Sequence, residues 1–76
     1  MGNEVPVAGQ VFYANVETAI RREPKHDSLE KELLDIDAKV IFLKVHEQNP
    51  EWYYVKSTFY DNVEGWTFGD HLTKSK

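Results

Sequence analysis

The chain has no cysteine. That excludes disulfide staples and thiolate zinc sites, and leaves a single small core to hold 76 residues together. A chain of this length buries only about 60–65% of its unfolded surface. Glycine is scarce, and Gly65 and Gly69 stand isolated, so no glycine-rich phosphate loop is present. No uncharged run approaches the roughly 20 apolar residues that cross a bilayer, so membrane insertion is not expected. Cations are few, nine Lys or Arg against thirteen Asp or Glu, for a net charge of −4. Phosphate backbones need a basic face, so nucleic acid is disfavoured, as are teichoic acid and anionic membrane surfaces. Long-range attraction favours a neutral or basic ligand instead. The opening "MGNEVPVAGQ" lacks the basic start and apolar run of an export signal. Met-Gly-Asn and the closing Lys-Ser-Lys read as trimmed ends of an excised domain, with any export signal lying outside the chain.

What is abundant is aromatic side chains in one stretch. Residues 49–68, "NPEWYYVKSTFYDNVEGWTF", hold both tryptophans, three of the four tyrosines and two of the four phenylalanines. This cluster is read as part core and part surface.

Residues 1–9, with Gly2, Pro6 and Gly9, read as a flexible lead-in, 10–73 as one domain and 74–76 as a tail. "QVFYANV" (10–16) is rich in β-branched and aromatic residues and predicts a strand. "ETAIRREPKHDS" turns polar, and Pro24 sets the start of a long loop. In the next stretch Leu29, Leu33, Ile36, Val40 and Leu43 share a helical stripe, and Asp27 with Glu30 resembles a helix start. "KVIFLKV" (39–45) nevertheless has strand composition. The expectation is an irregular or briefly helical segment to Asp37, then a strand over 39–46. Because Lys44 marks the wetter side, Ile41, Leu43 and Val45 are expected to face the core, and Phe42 to be half buried. Asn49 and Pro50 predict a turn. "WYYVKST" and "VEGWTF" predict strands, divided by a turn at Asp61–Asn62. Alternation puts Trp52, Tyr54 and Lys56 on one face, and Tyr53, Val55 and Ser57 on the other.

The order of these signals resembles the bacterial SH3-like (Src homology 3) family. "TAIRREPK" offers Ile20, Arg21 and Pro24, Leu34 precedes the turn "DIDAK", and "KVIFL" follows. "EWYYV" supplies Trp52 and Val55, and "EGWTFGDHL" supplies Gly65, Trp66 and Leu72. Ala19 stands where asparagine is usual, Glu23 where glycine is usual, and Asp37 where a turn glycine is usual. The resemblance implies an all-β fold, a small partly open five-stranded barrel, with a long loop or short helix between the first strands. It also implies a monomeric, non-enzymatic binding module, part of a larger bacterial envelope or cell-wall protein. The implied partner is a peptide or a peptidoglycan stem peptide. The alternative, read from the small core and the trimmed ends, is a structural or interaction domain whose aromatic face packs on a neighbouring domain or a second copy, without a small ligand. A location in the cell envelope or outside the cell follows from the resemblance alone.

In the eukaryotic relatives a tryptophan walls the peptide groove, and a proline and a tyrosine near the closing turn complete it. Trp52 matches the first. Counting from Gly65, the other two positions fall on Phe68 and His71. Trp66 should share the face of Phe68 and be partly exposed. Tyr53, Val55 and Tyr13 or Phe12 should build the core.

Other constellations carry less. His26, His46 and His71 lack metal-ligand spacing, so no metal or other cofactor is expected. Glu30/Glu32 and Asp35/Asp37 read as solvated pairs with no nucleophile nearby, so no catalytic residue is assigned. The basic run "IRREPKH" (20–26) reads as a solvated loop.

Overall fold

The computed structural model describes residues 6–60 and 63–75. Residues 1–5 of the expected lead-in, the turn at Asp61–Asn62 and Lys76 of the tail lie outside the described residues. The elements are β1 (Val11–Ala14), β2 (Thr18–Arg21), β3 (Glu30–Leu34), β4 (Lys39–Val45), β5 (Trp52–Ser57), β6 (Glu64–Phe68), one 3-10 turn (Gly69–His71) and β7 (Leu72–Thr73). All pairings are antiparallel. The strands form one sheet in the order β3-β2-β6-β5-β4-β1-β7, so β3 and β7 are its free ends and the sheet is not closed. Among the described residues the fold is all-β, with seven strands rather than the expected five. Among the described residues there is no α-helix, and none long and apolar enough to cross a membrane.

The extra strands come from the stretch read as polar loop and brief helix. β2 and β3 form a hairpin, with Thr18 opposite Leu34, Ala19 opposite Leu33 and Ile20 opposite Glu32. Its loop runs over residues 22–29 and contains Pro24. The helical stripe dissolves in this hairpin. Leu34 turns inward and is buried, whereas Leu29, Leu33 and Ile36 are exposed, Leu33 by 71%. Period-two alternation over Glu32–Leu34 and the backbone bonds offered by β2 outweigh the helical spacing.

The sheet coils around one core. Phe12, Ala14, Ile20, Leu34, Ala38, Val40, Phe42, Val55 and Leu72 form a single buried cluster. Leu34 comes from one free end of the sheet and Leu72 from the other, so both ends reach the same interior. Burying each large apolar side chain contributes about 1.5–3 kcal/mol. Thr67 is buried among them without an unpaired hydroxyl, because it donates to the Ala19 carbonyl at 3.0 Å.

Up to Leu43 the core face of β4 is the reverse of the expected one, whereas Val45 packs inward as expected. Val40 and Phe42 are buried, while Ile41 and Leu43 are only partly so. The cause is a bulge: Phe42 pairs with Val55, but Lys44 already pairs with Tyr54, leaving Leu43 as the extra residue. An extra residue resets the alternation. Val45, opposite Tyr53, therefore packs against the same core as Val40 and Phe42. Lys44 is on the wet side, yet parity counted back from it fails across Leu43.

Two local devices fix the ends of β1. Gly9 N–H donates to the Phe42 carbonyl at 2.7 Å, and Asp37 N–H donates to the Ala14 carbonyl at 2.7 Å. Asp37 has φ of 73°, the left-handed conformation that glycine adopts without strain. Aspartate tolerates it, whereas a β-branched residue does not. Asp37→Gly should melt within about 1 kcal/mol of the parent, strain relief being offset by unfolded-state entropy. Asp37→Val should lose about 1–2 kcal/mol. Thermal melts of the pair check this, and equal melting of both variants would remove the strain argument.

Candidate functional site

The pairing of β5 with β6 sets an aromatic ladder. Trp52 stands opposite Phe68, Tyr54 opposite Trp66 and Lys56 opposite Glu64. Tyr53, Val55 and Ser57 point the other way, with Thr67 opposite Tyr53 and Gly65 opposite Val55. Alternation therefore divides the aromatic stretch into an inner half and an outer half. On the inner side Tyr53 meets Phe42 edge-on at 5.1 Å and Phe12 at 5.7 Å. On the outer side Trp52 meets Phe68 at 5.3 Å and Tyr54 meets Trp66 at 4.9 Å, both edge-to-face, an arrangement the ring quadrupoles favour.

The outer face has two parts. At one end Trp52, Phe68 and His71 come together. Phe68 lies 5.2 Å from His71. A fourth ring, His26 from the β2–β3 loop, joins them at 4.8 Å from Trp52, 4.9 Å from Phe68 and 6.0 Å from His71. Trp52 is only 5% exposed although it belongs to the outer face. Its indole is a covered wall, not an open one. At the other end Trp66 meets His46 at 5.0 Å, and the Lys44 ammonium lies 5.3 Å from the Tyr54 ring centre. A depression of about 400 Å³ opens here, lined by Lys44, Val45, His46, Glu47, Gln48 and Trp66.

The sequence reading named Trp52, Phe68, His71 and Trp66. The structure places all four on or beside this face, with Trp66 in the half away from His71. Sequence reasoning did not assign Tyr54, His46 or His26 to it. Tyr54 was legible, since alternation puts it with Trp52. His46 and His26 were not, because each reaches the face through a loop.

His46 has a local task too. Its Nδ1 accepts the backbone N–H groups of Gln48 and Asn49, both at 3.1 Å. The imidazole thus holds the β4–β5 turn and fixes its own ring beside Trp66. The Tyr54 phenol is pushed above its ordinary value of 10.0 by burial first, then by the Glu64 charge and their hydrogen bond. It stays protonated and acts as a donor.

The His71 imidazole is pushed below its ordinary value of 6.5, by burial first and then by the His26 imidazole. Asp70 pulls the other way, and Arg21 adds to the lowering. The Thr18 hydroxyl lies 2.8 Å from His71 Nδ1, and a neutral ring can accept it there. Because the folded value lies below the unfolded one, the unfolded chain holds more protons between the two. The stability contributed by neutral His71 is full above 6.5 and is lost as pH falls below it. The melting midpoint should therefore drop from about pH 7.5 to about pH 5, and His71→Gln should flatten part of that slope. An unchanged slope in the variant would contradict this account.

Among the described residues no group of three or more His, Cys, Asp or Glu side chains could hold a metal ion. No family model matches the chain, and no curated protein or solved structure matches it.

Proposed function

We propose that the domain is a non-catalytic binding module of SH3-like type, which recognises a peptide on the outer aromatic face of β5 and β6. A peptidoglycan stem peptide fits the proposal, with the domain serving a larger bacterial envelope or cell-wall protein. Setting the β2–β3 hairpin aside leaves five strands in the order β6-β5-β4-β1-β7. That supports the five-stranded reading, with the hairpin in place of the long early loop. The observation that carries the function is the row of partly exposed rings, Tyr54, Trp66 and Phe68, beside the open depression at His46. Such rings offer rigid apolar faces at little entropic cost, and Tyr54 and Trp66 each add a polar tip. Phe68 and His71 replace the proline and tyrosine of the eukaryotic groove, so the ligand need not be rich in proline. The net charge of −4 favours a neutral or basic peptide.

Titrating isotope-labelled domain with a peptidoglycan stem peptide, and separately with a proline-rich peptide, tests the reading. At millimolar ligand at least one should shift the amides of Trp66, Phe68 and His71. If neither does, the groove is not a peptide site.

A second reading is a packing surface for a neighbouring domain or a second copy. It is favoured by the exposed Leu29, Leu33 and Ile36 around the free edge of β3, because apolar side chains on an unpaired edge attract partners. Sedimentation checks it: a concentration-dependent dimer abolished by Leu33→Lys would support it, and a monomer at all concentrations would remove the second copy.

A further inference from the structure

The depression beside Trp66 is lined by two charges of opposite sign. It holds about 400 Å³, and Lys44, His46, Glu47, Gln48 and Trp66 are among its walls. That is the small end of ligand pockets, which run from roughly 300 to 1,000 Å³. Lys44 and Glu47 are exposed. Among the described residues the ion pairs are Arg21–Glu30 and Lys25–Glu23, so neither Lys44 nor Glu47 is engaged in one. Each charge is carried on a fixed piece of backbone. The bulge at Leu43 sets Lys44 opposite Tyr54, and bulges re-aim side chains in this way. Glu47 stands in the β4–β5 turn. His46 N–H donates to the Trp52 carbonyl at 3.0 Å and Trp52 N–H to the Asn49 carbonyl at 2.9 Å, which ties the turn across its base. Inside it, His46 Nδ1 accepts the N–H groups of Gln48 and Asn49. A ring nitrogen that accepts carries no proton, so the ring proton is on Nε2. His46 is therefore a fixed donor on the side of its ring away from the turn.

We propose that this depression takes the carboxyl-terminal end of a peptide whose last residue is basic. Lys44 and His46 Nε2–H receive the terminal carboxylate, Glu47 receives the side-chain ammonium, and Trp66 covers the methylene chain between them. The proposal rests on the peptide-binding reading above and names the end of the ligand that this part of the site recognises. A carboxylate alone would meet the charge of Glu47, and an ammonium alone that of Lys44. A group that bears both charges is matched where either alone is opposed. Arg21, paired with Trp66 across the sheet, does not compete, because Glu30 at 3.4 Å and the Ser28 carbonyl already hold it. Such a peptide end is neutral overall, in keeping with the net charge of −4 on the domain.

The test titrates isotope-labelled domain with N-acetylated Ala-Ala-Lys bearing a free carboxylate, and reads the Trp66 indole N–H. At millimolar peptide that signal should shift. Amidating the carboxyl end, or acetylating the lysine side chain, should each weaken binding about fivefold, the size of one exposed ion pair. Lys44→Met should bind the free acid and the amide equally, and Glu47→Gln should bind the lysine and acetyl-lysine peptides equally. Both residues are exposed, so the fold should survive, and the amide dispersion of Val55 and Thr67 checks that it does. An indole that does not shift, equal binding of acid and amide by the parent domain, or discrimination that persists in both variants would each overturn the assignment. Shifts at Phe68 and His71 that ignore the terminal charges would overturn it while leaving the aromatic face as a peptide site. Silence at Trp66, Phe68 and His71 with every peptide would overturn both.

Discussion

Phe42→Ala should cost about 3–5 kcal/mol, enough to unfold most of so small a domain. Phe42 is 2% exposed, and its ring meets Phe12 at 5.9 Å and Tyr53 at 5.1 Å. Truncation removes those contacts and leaves a cavity where three elements converge. Leu43→Ala should cost far less, about 1 kcal/mol, because the bulge turns Leu43 away from the packed face. Parity along β4 alone gives the opposite order. Urea denaturation of the two variants decides between them. If Leu43→Ala is the more damaging, the bulge is misplaced and so is the register of β4 on β5.

Gly65→Ala should destabilise by about 2–3 kcal/mol, a large effect for one methyl group. A Cβ at Gly65 would overlap the Arg21 carbonyl oxygen and come within 2.8 Å of Ile20 Cγ2. Backbone cannot yield as a flexible side chain does, so β2 would have to move. Among the described residues β2 and β6 share one ladder pair, Arg21–Trp66, beside the Thr67 hydroxyl bond to the Ala19 carbonyl. Shifting β2 therefore loosens the hairpin from the sheet and draws Ile20, fully buried, out of the core. Hydrogen exchange should show Ile20 and Arg21 amides exchanging faster, with Phe12 and Phe42 changed less. Parent-like melting and exchange would mean that β2 and β6 are not in close contact at Gly65.

Strand composition made much of the sheet legible. "VFYA", "KVIFLKV", "WYYVKS" and "EGWTF" are all strands. The stretch "EKELLDID" misled because Leu33 and Ile36 continue a helical spacing from Leu29, whereas the strand buries Leu34. Which wins depends on β2, a partner whose own sequence is too polar to announce itself. Leu33 and Ile36 look like core residues in a list and are exposed in the fold. The bulge at Leu43 has no sequence mark, since it follows from how β4 meets β5. At the site, the resemblance rather than alternation put Trp52 and Phe68 together, and the β5–β6 register sets them opposite each other. His71 joined them through its count from Gly65 and is brought in by the 3-10 turn. His26 could not be found that way. It stands in a polar loop, and only the closure of the β2–β3 hairpin carries it to Trp52.

The central claim is that β5–β6 alternation splits one aromatic stretch into an inner half that stabilises the fold and an outer half that is offered to a ligand. Ring-to-ring nuclear Overhauser effects in the folded domain test it most directly. Tyr53 should show effects to Phe42 and Phe12, while Trp66 should show them to Tyr54 and His46 and none to Phe42 or Val40. Effects from Trp66 to Phe42 or Val40 would put both halves on one face and contradict the account.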